Sequence, residues 1–243
     1  MNLNGKVALV TGGAIRVGKA ISLELARAGA DIVVNYNSSA GPAEETVAEI
    51  RALGRRAIAQ QADVSQEGQV RALVDRAVGE FGRLDVLVNS ASVWRRTPWA
   101  ELDEAEWDRQ IAVDLKGPFL CARAAAPHLA AHGDGAIVNI VDQSVFKPFP
   151  NFMPHSVAKA GLLNMTYALA MELAPAVRVN AIAPGPVLPT PAHTEQQIAA
   201  TARRTLLKRW GTPEDVARAV RYLAEAAYVT GTVLPVDGGE RLS

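Results

Sequence analysis

Short runs of apolar, largely β-branched residues recur along the chain, with longer segments of helical character between them. Each run is apolar throughout instead of alternating between polar and apolar residues, which is typical of parallel strands covered on both faces. We predict strands at residues 7–10, 32–35, 57–60, 86–89, 136–141, 177–181 and 232–236. This series of strand–helix repeats predicts an α/β fold with a doubly wound, seven-stranded parallel sheet.

Capping residues mark the starts of two predicted helices. Asp103 is followed three residues later by Glu106, and Thr212 directly precedes Pro213. Residues 186–208 depart from the strand–helix rhythm, because they are rich in proline and threonine and follow the carboxyl end of a predicted strand. Such insertions often cover a binding site, so we predict a substrate lid here within one domain over residues 1–243.

Composition narrows the classes of partner. The 243 residues are 49% hydrophobic and 21% charged, and 25 basic residues balance 25 acidic ones. A net charge of zero gives no indication of binding to nucleic acid or to an anionic membrane. The single cysteine, Cys121, cannot form an internal disulfide and is expected to be a small buried residue. With no visible signal peptide and no apolar run of about 20 residues, we expect a cytoplasmic protein with a small-molecule partner.

A glycine-rich turn follows the first predicted strand. Residues 11–18 read TGGAIRVG and lead into a helix. Glycines at such a junction let backbone N–H groups approach a pyrophosphate, and the helix N-terminus favours its negative charge. We therefore expect a dinucleotide here, with Gly12, Arg16, Val17 and Gly18 as candidate binding residues.

The end of the second predicted strand bears on the choice of dinucleotide. NAD-binding sites usually place Asp or Glu there to hold the ribose 2′-hydroxyl, but residues 35–39 read NYNSS. Amides and hydroxyls can donate hydrogen bonds to a 2′-phosphate, and Arg16 in the glycine turn offers a positive charge. The sequence therefore favours NADP(H) as the cofactor. The candidate residues at this end are Tyr36, Asn37, Ser38 and Ser39.

Further landmarks follow in order along nearly the whole chain. They are Asp63 and Val64, residues 89–92 (NSAS), Lys159, Asn180, Pro184 with Gly185, Gly231, and residues 236–239 (VDGG). Together with the glycine turn, this pattern resembles the short-chain dehydrogenase/reductase family of Rossmann-fold enzymes. The resemblance implies an adenine site, a ribose site and a nicotinamide site, and also a homotetramer. In that case Asp63 and Val64 would contact the adenine, and Asn89, Ser90 and Ala91 would contact the ribose. Pro184, Gly185 and Val187 would border the nicotinamide.

Three residues resemble the pteridine reductases within this family. Arg16 stands where most members have glycine, and Asp142 stands where the main branch has serine. Trp94 ends a loop that reads NNASSF in pteridine reductases and NSASVW here. A flat pterin needs an aromatic face opposite the nicotinamide, so Ser92 and Trp94 are the candidate substrate residues. The alternative for Trp94 is an aromatic residue of the core or of a subunit contact.

The catalytic positions depart from the family pattern, which pairs a tyrosine with a lysine four residues later. Counting back from Lys159 places His155 at the tyrosine position, and Asp114 stands where most members have asparagine. One interpretation is that His155 is the general acid, since Asp142 and Asp114 favour its charged form while Lys159 opposes it. The alternative is a catalytically impaired protein that still binds NADP(H), because losing a general acid costs about 10²–10⁴ in rate.

The combined pattern predicts an NADPH-dependent reductase that transfers hydride to a C=N or C=O carbon, with a pterin as one candidate substrate. His155 would supply the proton, supported by Asp142, Asp114 and Lys159. In the family, the lysine also holds the nicotinamide ribose, and the same is expected of Lys159. A 3-oxoacyl carrier-protein reductase or another ketoreductase is the alternative enzyme, since such enzymes share the same frame.

Overall fold

The computed structural model describes residues 1–189 and 193–243, and the observations below refer to these residues. Within them, seven parallel strands form one sheet in the order β3-β2-β1-β4-β5-β6-β7. The strands are β1 (Val7–Thr11), β2 (Asp31–Tyr36), β3 (Ala57–Gln61), β4 (Val86–Asn89), β5 (Gly135–Ile140), β6 (Val177–Pro184) and β7 (Val233–Val236). The helices are α1 (Arg16–Arg27), α2 (Ala40–Ala52), α3 (Glu67–Phe81), α4 (Glu104–Ile111), α5 (Gly117–Ala130), α6 (Met153–Leu173), α7 (Glu195–Arg204) and α8 (Pro213–Glu225).

The predicted fold and all the predicted strands are confirmed, and the strand ends differ by a few residues at most. Helices cover both faces of the sheet. One core lies between the sheet and α1, α2 and α8, and it includes Ile21, Val47 and Val220. The other core lies between the sheet and α3, α5 and α6, and it includes Leu73 and Leu120. This two-sided burial explains the uninterrupted apolar runs and makes the structure a doubly wound Rossmann fold.

The strand order reverses at β1, which pairs with β2 on one side and with β4 on the other. At such a reversal the connections leave towards opposite faces, and a crevice opens beyond the carboxyl ends of the strands. Gly12, Asn37 and Ser90 follow β1, β2 and β4 directly or within one residue, so they meet at this edge. The fold therefore brings residues from separate predicted motifs to one crevice.

Both predicted helix caps are confirmed. The Asp103 side chain accepts a hydrogen bond from the backbone N–H of Glu106 at the start of α4, and Thr212 caps α8. Between α4 and α5, residues Ala112–Lys116 form a π-helical turn that contains the buried Asp114. Such turns occur often at functional sites, and this one carries a carboxylate into the protein interior.

The predicted lid, residues 186–208, contains α7 and part of the connection that precedes it. Thr190, Pro191 and Ala192 belong to the same prediction and lie outside the described residues. Trp210, just beyond this region, donates its indole N–H to the carbonyl of Ile198 on α7 and so anchors the helix. None of the helices described is both long and apolar enough to cross a membrane.

Candidate active site

A first cavity of about 350 Å³ opens at the carboxyl ends of β1, β2, β3 and β4. Its lining contains these predicted cofactor residues: Gly12, Tyr36, Asn37, Ser38, Ser39, Asp63, Val64 and Ala91. The end of β2 contributes amide and hydroxyl donors, and no acidic residue stands between Asn35 and Ser39. The donors fit a phosphorylated ribose, so this cavity could hold the adenosine end of a dinucleotide.

Two glycines keep the turn after β1 tight. Gly12 has a φ of 61°, and a Cβ atom there would lie 2.9 Å from the Cα atom of Ala91. A Cβ atom on Gly18 would collide with the carbonyl oxygen of Gly12. Glycine at these positions therefore allows close packing between the turn, α1 and the loop after β4, and leaves backbone open to a phosphate.

Arg16 begins α1 in the left-handed region, with a φ of 53°. This conformation costs a non-glycine residue roughly 1–2 kcal/mol, which explains why glycine would be favoured at this position. Arg16 lines a second cavity, whereas Ser38 and Ser39 line the first. The expectation that Arg16 meets a 2′-phosphate at the end of β2 stays a prediction.

The second cavity has a volume of about 300 Å³. Predicted residues on its lining are Arg16, Val17, Trp94, Asp142, Pro184, Gly185 and Val187. Lining residues that the sequence analysis did not single out are Gln143, Phe149, Arg204, Trp210 and Glu240, and His193 joins them from the predicted lid. The predicted nicotinamide and substrate residues thus share one cavity, which also carries charged groups from α7 and the C-terminal turn.

Trp94 is 53% exposed and presents an aromatic surface to this second cavity. Its ring stacks on Phe152, with centroids 4.4 Å apart and an interplanar angle of 23°. It also meets the His155 ring edge-on, at 4.8 Å and 88°. Trp94 is therefore not a core residue, and it lies where a flat ligand in the cavity would contact it.

The predicted ribose residues Asn89 and Ser90 support the crevice from behind. Asn89 is buried and donates its side-chain N–H to Oδ1 of Asn139, at 2.8 Å. The backbone N–H groups of Ser90 and Ala91 donate to Oγ1 of Thr11, at 3.0 and 3.1 Å. Thr11 is not among the predicted site residues, although a hydroxyl residue at a strand end directly before glycines is a usable signal.

The predicted catalytic residues come together as a buried ionic cluster. Nε2 of His155 lies 2.5 Å from Oδ2 of Asp142, and Nδ1 lies 3.3 Å from Oδ2 of Asp114. Nζ of Lys159 lies 3.6 Å from the same Asp114 oxygen and donates to the carbonyl of Ile140 at 3.0 Å. The two carboxylates can therefore balance the charges of Lys159 and of a protonated His155.

Hydrogen bonds from groups other than the His155 ring hold the carboxylates of Asp114 and Asp142 in place. Oδ2 of Asp114 accepts from the hydroxyl of Ser92 at 2.6 Å, and Oδ1 accepts from the backbone N–H of Val93 at 2.8 Å. Oδ1 of Asp142 accepts from the hydroxyl and the backbone N–H of Ser144, at 2.5 and 2.8 Å. The predicted substrate residue Ser92 therefore holds the carboxylate of Asp114 in place.

The cluster favours a charged histidine. Burial and the charge of Lys159 lower the pKa of His155. The hydrogen bonds with Asp114 and Asp142 and the charge of Asp142 raise this pKa by more. The net pKa lies above the ordinary value of 6.5. Burial raises the pKa of both carboxyl groups. Lys159 and His155 nevertheless bring the pKa of Asp114 below its ordinary value, and His155 does the same for Asp142.

Only one member of the His155–Asp142 pair faces the second cavity. The His155 side chain is 2% exposed and the Asp142 side chain is 17% exposed, and Asp142 is on the cavity lining. A ligand in the cavity would meet the carboxylate first. The sequence predicts His155 as the proton donor, and the structure leaves Asp142 as the member of the pair that reaches the cavity.

Sequence reasoning missed Gln110, which is fully buried on α4 beside His155. The signal available was its position four residues before Asp114, on one face of a predicted helix. Among the described residues, no group of three His, Cys, Asp or Glu could hold a metal ion. Burial raises the pKa of the Cys121 thiol to about 12, which agrees with its prediction as an inert core residue.

Comparison with known proteins finds relatives that match nearly the whole chain. Residues 13–240 match the family described as enoyl-(acyl carrier protein) reductase. A 3-oxoacyl-[acyl-carrier-protein] reductase from Synechocystis is 40% identical over 242 residues, which cover 98% of this chain and 97% of the relative.

Two solved structures superpose closely. The FolM alternative dihydrofolate reductase 1 from Brucella canis, complexed with NADP, gives a TM-score of 0.93 at 38% identity and covers 100% of this chain and 96% of that chain. A short chain dehydrogenase from Burkholderia cenocepacia in complex with NADP gives 0.93 at 36% identity, with 99% of each chain covered. The chain therefore belongs to the short-chain dehydrogenase/reductase family of oxidoreductases.

Proposed function

We propose that this protein is an NADPH-dependent reductase that delivers hydride to a C=N or C=O carbon of a flat small molecule. The observation that carries the proposal is the pairing of the buried His155 with Asp142 at the wall of a cavity that Trp94 also lines. This arrangement combines a source of protons with an aromatic surface for a planar substrate.

NADP(H) is the proposed cofactor, and bound NADPH would supply the hydride. Asn37, Ser38 and Ser39 would donate hydrogen bonds to the 2′-phosphate, and the turn at Gly12 would leave room for the pyrophosphate. Pro184 and Gly185 line the second cavity, where the nicotinamide would lie. The relatives from Brucella and Burkholderia, both complexed with NADP, support this assignment.

The proposed proton path runs from His155 through Asp142. The imidazolium would pass its Nε2 proton to Oδ2 of the ionised Asp142 carboxylate, 2.5 Å away, and the carboxylic acid so formed would then give a proton to the substrate nitrogen or oxygen. Asp114 and Lys159 keep the cluster neutral while the ring is charged. Because the Lys159 ammonium already contacts Asp114 and Ile140, its part in holding the nicotinamide ribose would be shared with the cluster.

A pterin is the proposed substrate class, with Ser92 and Trp94 as the residues nearest to it. The aromatic face of Trp94 and the carboxylate of Asp142 lie in one cavity, so a planar ring could stack and be protonated in a single position. The Brucella relative, an alternative dihydrofolate reductase, supports the proposal because dihydrofolate carries a pterin ring. A ketoreductase is the second candidate, and the Synechocystis 3-oxoacyl-[acyl-carrier-protein] reductase supports it.

The test is NADPH oxidation in the presence of 7,8-dihydrobiopterin, beside a panel of ketones that includes a 3-oxoacyl thioester. We expect turnover with the pterin at a higher kcat/KM than with any ketone. Preference for the thioester would support the second candidate. NADPH binding without turnover on any compound would support the catalytically impaired protein that the loss of the family tyrosine suggests.

We further propose a homotetramer in the cytoplasm and a closing role for residues 186–208. Exposed apolar side chains on α5 and α6, namely Phe119, Val157 and Met171, support a subunit contact there. Light scattering at a series of concentrations tests the assembly, with a single species of four chains as the expected result.

A further inference from the structure

Gln110 is fully buried and contacts both the loop after β4 and the His155 ring. Its Nε2 atom donates to the carbonyl oxygen of Val93 at 2.9 Å and lies 3.3 Å from Nδ1 of His155. The carbonyl of Val93 can only accept a hydrogen bond, so it fixes which end of the Gln110 amide faces the ring. The amide therefore points its second N–H at Nδ1.

Two groups compete for Nδ1 of His155. Gln110 offers a donor at 3.3 Å, and Oδ2 of Asp114 offers an acceptor at 3.3 Å. A neutral ring with a bare Nδ1 can accept from Gln110, whereas a charged ring must donate its Nδ1 proton to Asp114. The site thus provides a partner for this nitrogen in both protonation states.

We propose that Gln110 is a positioning residue that keeps Nδ1 of the neutral His155 ring unprotonated, so that the single ring proton lies on Nε2 and faces Asp142. This inference deepens the proposed function, since it rests on His155 as the proton source and concerns the resting neutral ring. A ring that has just passed its Nε2 proton to Asp142 keeps the other proton on Nδ1 and returns to the resting tautomer afterwards. Among the described residues that face the ring are Asp142 from the segment after β5, Asp114 from the π-helical turn and Lys159 from α6. The edge of Trp94 closes one side.

Gln110 also links the ring to the substrate wall. The backbone of Val93 is held at both ends from the same stretch of helix, because Asp114 accepts from its N–H and Gln110 donates to its carbonyl. The next residue is Trp94, which meets the His155 ring at 4.8 Å. One buried amide therefore sets the relation between the aromatic surface and the proton source.

The experiment is an NMR titration of ¹⁵N-histidine-labelled protein, with the His155 signals identified by their loss in His155→Asn. In the unchanged protein we expect the neutral ring to carry its proton on Nε2. In Gln110→Met, which keeps the volume and removes the donor, we expect the proton to move to Nδ1 towards Asp114. The loss of one hydrogen bond to the neutral ring should also raise the midpoint by about half to one pH unit.

Gln110→Glu is the second variant, for the case in which Gln110→Met does not fold. Its carboxylate accepts from Nδ1 and should raise the midpoint further. Gln60→Met is the matched control, because Gln60 also donates to a backbone carbonyl, at 3.1 Å, but does so on β3. It should leave both the tautomer and the midpoint unchanged.

An Nδ1 proton in the unchanged neutral ring, or an unaltered tautomer in both Gln110 variants, would overturn the inference. These readouts need no substrate. If the protein turns over no compound while the tautomer shifts as expected, the proposed function fails and the inference about Gln110 stands. If turnover is present and the tautomer does not respond, the reverse holds.

Discussion

Nε2 of His155 lies 2.5 Å from Oδ2 of Asp142, and the carboxylate stands between the buried imidazole and the second cavity. This order differs from a histidine that touches its substrate. In the proposed mechanism, His155 is the proton source and Asp142 is the group that a ligand meets. Because the two act in series, their contributions to catalysis should not add.

Substitution of the pair tests that order. Asp142→Asn and His155→Ala should each lower kcat by about 10²–10⁴, with little change in NADPH affinity. The kcat of the double variant should be no lower than that of the less active single variant. Steady-state kinetics with the best substrate measure all three. Activity in His155→Ala equal to that of the unchanged protein would remove His155 from the mechanism.

His155→Tyr introduces the tyrosine that the resemblance to the family predicts four positions before Lys159. A phenol is longer than an imidazole, so its hydroxyl could pass Asp142 and reach the cavity directly. We expect activity at least equal to that of the unchanged protein, measured as kcat with NADPH. A loss as large as that in His155→Ala would show that the surrounding cluster is built for histidine alone.

The Trp94 ring should bind the planar part of the substrate. Trp94→Ala should raise KM for a pterin by about tenfold or more while NADPH affinity stays nearly constant, because the ring lines the second cavity and not the first. Trp99→Ala is the matched control, since Trp99 is 80% exposed and lines neither cavity. Unchanged pterin kinetics in Trp94→Ala would assign Trp94 to a subunit contact instead.

The sequence predicts the fold well because burial on both faces of the sheet leaves a direct trace in the apolar runs. Residues fixed by chain connectivity, such as Gly12 at the end of β1, also follow from their spacing. Contacts between residues that are distant in the sequence cannot be predicted from spacing. The burial of His155 behind Asp142 depends on how α6 packs, and no local pattern encodes it.

Arg16 and Gln110 show the same limit in different ways. Arg16 is in the predicted turn, but its left-handed backbone and its place on the second cavity, whereas Ser38 and Ser39 line the first, do not follow from the local sequence. Gln110 acts through a π-helical turn that brings Asp114 to the same ring nitrogen. Helical spacing relates Gln110 to Asp114, yet only the folded loop after β4 reveals its acceptor at Val93.

The end of β2 should determine cofactor preference. Asn37→Asp places a negative charge where the 2′-phosphate is expected, so it should weaken NADPH binding by about tenfold or more and leave NADH binding unchanged or tighter. Fluorescence titration of both nucleotides measures this. Tighter binding of NADH than of NADPH by the unchanged protein would contradict the proposed cofactor.

Arg16 should combine strain with function. Arg16→Gly relieves a φ of 53° and should raise the free energy of unfolding by roughly 1 kcal/mol. It should also raise KM for the substrate, since the guanidinium lines the second cavity. Arg16→Ala serves as the control, because it removes the charge without giving the backbone the freedom of glycine. A rise in stability in both variants would exclude relief of strain as the cause.

Activity should be lost at alkaline pH. Burial lowers the pKa of His155, but the hydrogen bonds with Asp114 and Asp142 outweigh it and raise the net pKa. In the proposed mechanism, reduction uses the charged ring. The rate should therefore be highest below the raised pKa and fall as pH increases through it. This alkaline limb of the pH profile belongs to the whole coupled cluster and not to His155 alone. The pH profile of kcat measures this, and His155→Ala should lack that limb.

The same titration should appear in stability. A charged histidine with a raised folded-state pKa stabilises the protein fully below its unfolded pKa of about 6.5, and this contribution disappears as pH rises through the folded value. Thermal denaturation across this range should therefore show a decline in Tm that is absent from His155→Phe. Asp114→Asn should move both the kinetic limb and the decline in Tm towards lower pH, because it removes one of the two carboxylates that favour the charged ring. If the two profiles moved in opposite directions, the group that controls activity could not be this cluster.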